Sequence, residues 1–120
     1  MPKVLIVDDS ATETHAMSAL LKKNGFDVVT ADDGEAGFTR AHEEQPDAII
    51  MDVIMPGLNG FQATRRLSRD PETANIPVIF VTSKNQPTDK VWGMRQGAVA
   101  YITKPINDAE LVAKIREVIA

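Results

Sequence analysis

Ala48-Ile49-Ile50-Met51-Asp52-Val53-Ile54-Met55 is an apolar run with a single aspartate inside it. The four residues before Asp52 show no polar alternation. A strand buried on both faces reads this way, because neither set of alternate side chains meets water. The run is too short to cross a bilayer. Val4-Leu5-Ile6-Val7 and Val78-Ile79-Phe80-Val81 repeat the pattern on either side. Asp27-Val28-Val29-Thr30 and Val99-Ala100-Tyr101-Ile102 are weaker strand candidates.

Helical stretches separate these segments. Ala16, Leu20 and Leu21 form an apolar stripe that stops at Asn24-Gly25. Glu35 to Glu44 closes before Pro46, and Asn59 to Arg69, carrying Phe61, Ala63 and Leu67, closes before Pro71. Pro87 suits the first turn of a helix that ends at Gly97. Leu111, Val112, Ile115, Val118 and Ile119 share one face of a last helix, capped by Asn107 or Asp108. Strand then helix, five times over, predicts an α/β flavodoxin-like (βα)5 three-layer sandwich. Right-handed crossovers favour a parallel sheet of order 2-1-3-4-5.

The 120 residues fit one domain. The expectation is a single domain over residues 1–120 with no output domain. The absence of cysteine excludes disulfides, zinc-thiolate sites and a cysteine nucleophile. Thirteen Lys and Arg against 17 Asp and Glu give a formal net charge of −4, which offers no general support for nucleic-acid binding. No signal peptide or membrane span is read, so the expected location is cytoplasmic, with neither nucleic acid nor membrane as partner.

Sheets of this kind place ligand sites at the carboxyl ends of their strands. Strand 1 runs into Asp8-Asp9, strand 3 into Asp52, strand 4 into Thr82-Ser83 and strand 5 into Lys104-Pro105. Two carboxylates about 5 Å apart repel by about 3 kcal/mol at an effective dielectric of about 20. Such a cluster calls for a cation or a raised pKa. Lys104 supplies one charge, and a hard divalent ion, Mg²⁺, suits the oxygens of Asp9 and Asp52. Asp8 would hold metal-bound water or orient Asp9. Asp52 then reads as a nucleophile toward phosphorus, with Lys104 and the Thr82 hydroxyl on the phosphoryl oxygens. Read singly, each residue is an ordinary cap or loop charge: Asp9-Ser10 caps helix 1, and Asp32 or Asp33 caps helix 2. His15 and His42 lie within helices at no metal-ligand spacing and read as surface residues. Arg65, Arg66 and Arg69 read as a solvated helix face.

Val4-Leu5-Ile6-Val7-Asp8-Asp9-Ser10, Met51-Asp52-Val53-Ile54-Met55-Pro56-Gly57 with Asn59-Gly60, Val81-Thr82-Ser83 and Lys104-Pro105 together resemble bacterial response-regulator receiver domains. The resemblance spans essentially the whole chain. It implies that Asp52 accepts a phosphoryl group from a histidine kinase or a phosphotransfer domain. It implies Mg²⁺ on Asp9, Asp52 and the backbone carbonyl of Ile54, with Asp8 acting partly through water, and a cis Lys104–Pro105 bond. Thr82 and Tyr101 match the switch pair that would alter the face of helix 4, strand 5 and helix 5, where a downstream protein docks. Ile54 and Lys84 fall at positions that tune the lifetime of the acyl phosphate. The stretches Asn59 to Arg65 and Thr88 to Ala98 look like the stand-alone PilH-type regulators of type IV pilus twitching motility. That implies a chemotaxis-like pilus system, in which the chain is an effector or a phosphate sink. Trp92 falls on the helix 4 face.

The alternative is a Mg²⁺-dependent aspartyl-nucleophile phosphohydrolase. That chemistry expects a second acid two residues after the nucleophile, where this chain has Ile54. A flavodoxin-like cofactor binder is disfavoured because Asp8-Asp9-Ser10-Ala11-Thr12 has no glycine and would repel a cofactor phosphate.

Overall fold

The computed structural model describes residues 1–120. Its strands are β1 (Lys3–Val7), β2 (Asp27–Ala31), β3 (Ala48–Met51), β4 (Val78–Thr82) and β5 (Ala100–Thr103). Its helices are α1 (Ala11–Lys23), α2 (Gly34–Glu44), α3 (Gly60–Arg69), α4 (Pro87–Arg95) and α5 (Asp108–Ile119). All strand pairings are parallel, in the order β2-β1-β3-β4-β5. This is the flavodoxin-like arrangement expected from the alternating pattern.

Side chains alternate across the sheet, so each strand feeds two cores. Val4, Ile6, Ile50, Ile79, Val81 and Ile102 meet α1 and α5 on one face. Leu5, Val7, Ile49, Met51, Val78 and Phe80 meet α2 and α3 on the other. Burial on both sides explains why β1, β3 and β4 carry unbroken apolar runs. Each fully buried Leu, Ile or Phe contributes roughly 1.5–3 kcal/mol.

Two details differ from the sequence reading. The buried face of α1 is set by Met17 and Leu21, while Ala16 is exposed and Leu20 only partly packed. Spacing alone allowed either phase, and the larger Met17 side chain takes the core. Val99 is outside β5 and 48% exposed; the strand starts at Ala100 and reaches Thr103. The Val99 N–H still bonds the Val78 carbonyl at 2.9 Å, so it guides the chain into the sheet without burying its side chain.

Caps fix the loops around the carboxyl edge. Ser10 caps α1, Asp33 caps α2 and Asn107 caps α5, each accepting a backbone N–H from the first turn. Asn59 and Gln62 form a reciprocal capping box at the start of α3. Gly60 follows, pressed against the β3 loop. A Cβ there would lie 2.0 Å from the Asp52 carbonyl oxygen, so only glycine lets α3 start this close. No helix is long and apolar enough to cross a membrane.

Candidate functional site

Asp8, Asp52 and Lys104 each stand one residue beyond the end of β1, β3 and β5, and Thr82 is the last residue of β4. The ladder continues just far enough to aim them. The Asp52 N–H bonds the Val7 carbonyl at 2.9 Å, the Asp8 N–H bonds Ala31 at 3.1 Å, and the Lys104 N–H bonds Thr82 at 2.8 Å. The Lys104–Pro105 peptide is cis.

The side chains converge. Lys104 Nζ donates to Asp8 Oδ2 at 3.1 Å, to Asp52 Oδ2 at 3.0 Å, and to Glu13 Oε2. Asp8 and Asp52 are buried. Asp8 Oδ1 accepts the Ser10 N–H at 2.8 Å, and Asp52 Oδ1 accepts the Ile54 N–H at 3.2 Å. Burial pushes the Asp8 carboxyl above its usual range, against the Ser10 N–H and the Lys104 ammonium, which pull it down. Burial alone would lower the Lys104 pKa, but hydrogen bonds to Glu13, Asp52 and Asp8 raise it, so the ammonium stays charged.

Thr82 is fully buried, and its Oγ1 accepts the Lys84 N–H at 3.3 Å, which leaves its own proton free to donate. The Tyr101 hydroxyl donates to the Lys84 carbonyl at 2.8 Å, and its ring leans on Phe80. Burial, then the charges of Asp89 and Asp52, push the Tyr101 pKa up to about 12, so it remains a neutral donor. Lys84 turns its ammonium to Asp89 at 3.6 Å, on α4, and makes no ion pair with Asp8 or Asp52. Ile54 is exposed at the rim.

Asp9 is exposed and adds no oxygen to the Asp8, Glu13 and Asp52 cluster. With Asp8 and Asp32 it lines an open depression of about 780 Å³ beside β2. Glu13 is the residue that sequence reasoning missed. It stands three residues after Ser10, a spacing that suggests a reciprocal cap. Here the Ser10 N–H is taken by Asp8, which releases the Glu13 carboxylate to Lys104.

The donor set suits a hard cation. Asp8, Glu13 and Asp52 offer one oxygen each within 4.8 Å of one another, with no soft ligand among them. The Ile54 carbonyl accepts no hydrogen bond and is free to serve. The raised pKa of Asp8 shows that one ammonium does not fully offset the buried charge.

The expectation that both histidines are simple surface residues needs one correction. His15 is exposed. His42 is half-buried, with Nε2 2.8 Å from Asp70 Oδ2 and Nδ1 3.0 Å from Glu72 Oε2. The tie joins α2 to the loop after α3, which a reading confined to one helix does not bring together. Arg66 is exposed, as the solvated-face reading expects, but it also pairs with Glu35 at 2.7 Å and lies over the Phe38 ring.

Comparison with known proteins agrees with this geometry. The chain is 53% identical over 120 residues to Protein PilH of Pseudomonas aeruginosa, covering 100% of this chain and 99% of that protein. The chemotaxis protein CheY4 of Vibrio cholerae superposes with a TM-score of 0.92 at 32% identity, covering 98% of each chain. The receiver domain of sensor histidine kinase PA1611 from Pseudomonas aeruginosa, described with a magnesium ion coordinated in its active site cleft, superposes with a TM-score of 0.91 at 28% identity, covering 98% of this chain and 97% of that one. Residues 4–116 match the response regulator receiver domain, and the chain belongs to that family.

Proposed function

We propose that this chain is a stand-alone response regulator whose phosphorylation at Asp52 changes its binding to a partner. The supporting observation is the convergence of Asp52, Asp8 and Lys104 at adjacent strand ends, with Thr82 ending the strand between β3 and β5. The donor is a phosphohistidine of a kinase or a phosphotransfer domain. An Asp52 oxygen attacks phosphorus, the P–N bond breaks, and its electron pair leaves with the imidazole nitrogen. No acid or base is needed on Asp52, which already stands as a carboxylate paired with Lys104.

Asp9, Asp52 and the Ile54 carbonyl are the residues we assign to Mg²⁺, with Asp8 acting partly through water. When bound, the ion neutralises charge on the phosphoryl oxygens. Lys104 leaves Glu13 and Asp8 to pair with a phosphoryl oxygen, and the free Thr82 proton donates to another. The phosphoryl group adds about −1.5 to −2 of charge, which draws Thr82 toward it. Tyr101 then gives up the Lys84 carbonyl and turns inward, altering the face of α4, β5 and α5. Ile54 and Lys84, at the rim, set the lifetime of the acyl phosphate. Likeness to PilH supports a cytoplasmic role in type IV pilus twitching motility, as an effector or a phosphate sink within a chemotaxis-like system.

Incubation with acetyl phosphate and Mg²⁺, followed by intact mass, should show one phosphoryl adduct. Asp52→Ala should abolish it. Turnover of phosphate esters without an adduct would instead indicate a phosphohydrolase.

A further inference from the structure

The six arginines fall into two groups. Arg40 pairs with Glu44 at 3.6 Å, Arg66 with Glu35 at 2.7 Å, and Arg116 donates to the Asn24 carbonyl at 3.2 Å. Arg65, Arg69 and Arg95 have no ion pair and no side-chain hydrogen bond within the chain. These three unpaired arginines line one groove of about 340 Å³ between α3 and α4. Trp92, the only tryptophan, lines it too, and no carboxylate does. A chain with 17 acids has thus left three guanidiniums together and without a partner.

The helix dipole accounts for part of this. Arg69 and Arg95 occupy the last turns of their helices, where a cation is favoured. It does not account for Arg65, one turn earlier, or for an indole left 51% exposed beside it. The groove is also preformed. Ser68 Oγ bonds the Gln96 carbonyl at 2.8 Å and so joins its two walls. Gly97 follows with φ +113°, and a Cβ there would lie 2.1 Å from Ser68 Oγ. A side chain at position 97 would push the walls apart.

The chemistry selects the occupant. A compact phosphate favours converging backbone N–H groups at a helix N-terminus. This groove lies at two helix C-termini, and the N–H groups of Gln96 and Gly97 are bonded back to Trp92, Gly93 and Met94. Only side chains remain to bind an anion. Arg65 and Arg69 stand about 6 Å apart along α3, with Arg95 on the facing helix. That spread suits carboxylates spaced along a polypeptide, each taken by a guanidinium fork. Trp92, with Val91 and Met94 exposed on the same helix, offers an apolar anchor beside the charges.

We infer that the α3–α4 groove docks an acidic segment of a partner protein, its carboxylates on Arg65, Arg69 and Arg95 and an apolar side chain on Trp92. The test uses Trp92 fluorescence and a short synthetic peptide of alternating glutamate and leucine. The peptide should shift the emission saturably. The triple variant Arg65→Glu, Arg69→Glu, Arg95→Glu should weaken binding roughly tenfold or more, and added salt should weaken native binding. Amide shifts in an NMR titration should centre on residues 65–69 and 92–97. The three arginines lie outside the Asp52 site, so acetyl phosphate labelling of the variant serves as its folding control. No saturable shift, equal affinity in a folded triple variant, or NMR shifts elsewhere would overturn the inference. So would tighter binding of tripolyphosphate or single-stranded DNA, which would mark a polyanion site instead.

Discussion

Two clusters hold a basic side chain between carboxylates, one at each end of the sheet. At the carboxyl edge Lys104 lies among Asp8, Asp52 and Glu13. At the opposite edge, where α2 and α3 end, His42 lies between Asp70 and Glu72. The residue types are similar, but the consequences are opposite. Asp8 is buried, and desolvation raises its pKa. Asp70 is less sheltered, and its pKa is lowered, chiefly by the Glu72 N–H, with burial opposing and His42 assisting. Charge at the first cluster strains the fold and prepares it for a cation. Charge at the second ties two segments together and asks for nothing further. Shelter from water, more than the count of acids, decides which cluster can do chemistry.

The comparison breaks most severely at the support of the buried cluster. Gly60→Ala would force a Cβ onto the Asp52 carbonyl, so the β3 loop must move. It should lower stability by about 3 kcal/mol in urea unfolding and sharply slow acetyl phosphate labelling. Equal labelling would mean that the start of α3 does not position Asp52. Next in size, Lys104→Met leaves buried carboxylates without their cation. In divalent-free buffer it should cost about 2 kcal/mol, less than in a sealed interior because the Glu13 side is open. His42→Gln, read in the same way, should cost clearly less. A larger loss at His42 would reverse the ranking of the two clusters.

The smallest effect sharpens the comparison through its sign. A raised pKa in Asp8 means that its charged form opposes folding above the unfolded pKa. Asp8→Asn should therefore stabilise the divalent-free protein at pH 7, and the gain should fade as pH falls through the carboxylate range. A lowered pKa in Asp70 means stability present above the unfolded pKa and lost as pH falls through the folded one. Asp70→Asn should therefore destabilise at pH 7, and that loss should fade on acidification. Thermal unfolding from pH 7 to pH 3 measures both, and slopes of the same sign would remove the distinction.

The amino-acid sequence alone determined the architecture. Strands buried on both faces must be apolar throughout, so β1, β3 and β4 announce themselves, and helices between them leave few topologies. It also determined that Asp8, Asp52, Thr82 and Lys104 share an edge, because strand ends in a parallel sheet lie together. Only the tertiary structure decided which charges meet. Glu13 reaches Lys104 because Asp8 takes the Ser10 N–H that a local cap would have used. Asp9, adjacent in sequence to Asp8, lines the β2-side depression with it but adds no oxygen to the Lys104 cluster. His42 finds Asp70 and Glu72 from another helix, and three arginines on α3 and α4 are left facing one another across a groove. Periodicity places a backbone, because burial acts on whole faces of a strand or helix. Partners of single charges depend on contacts between elements far apart in the chain, and those exist only once the sheet and its helices have packed.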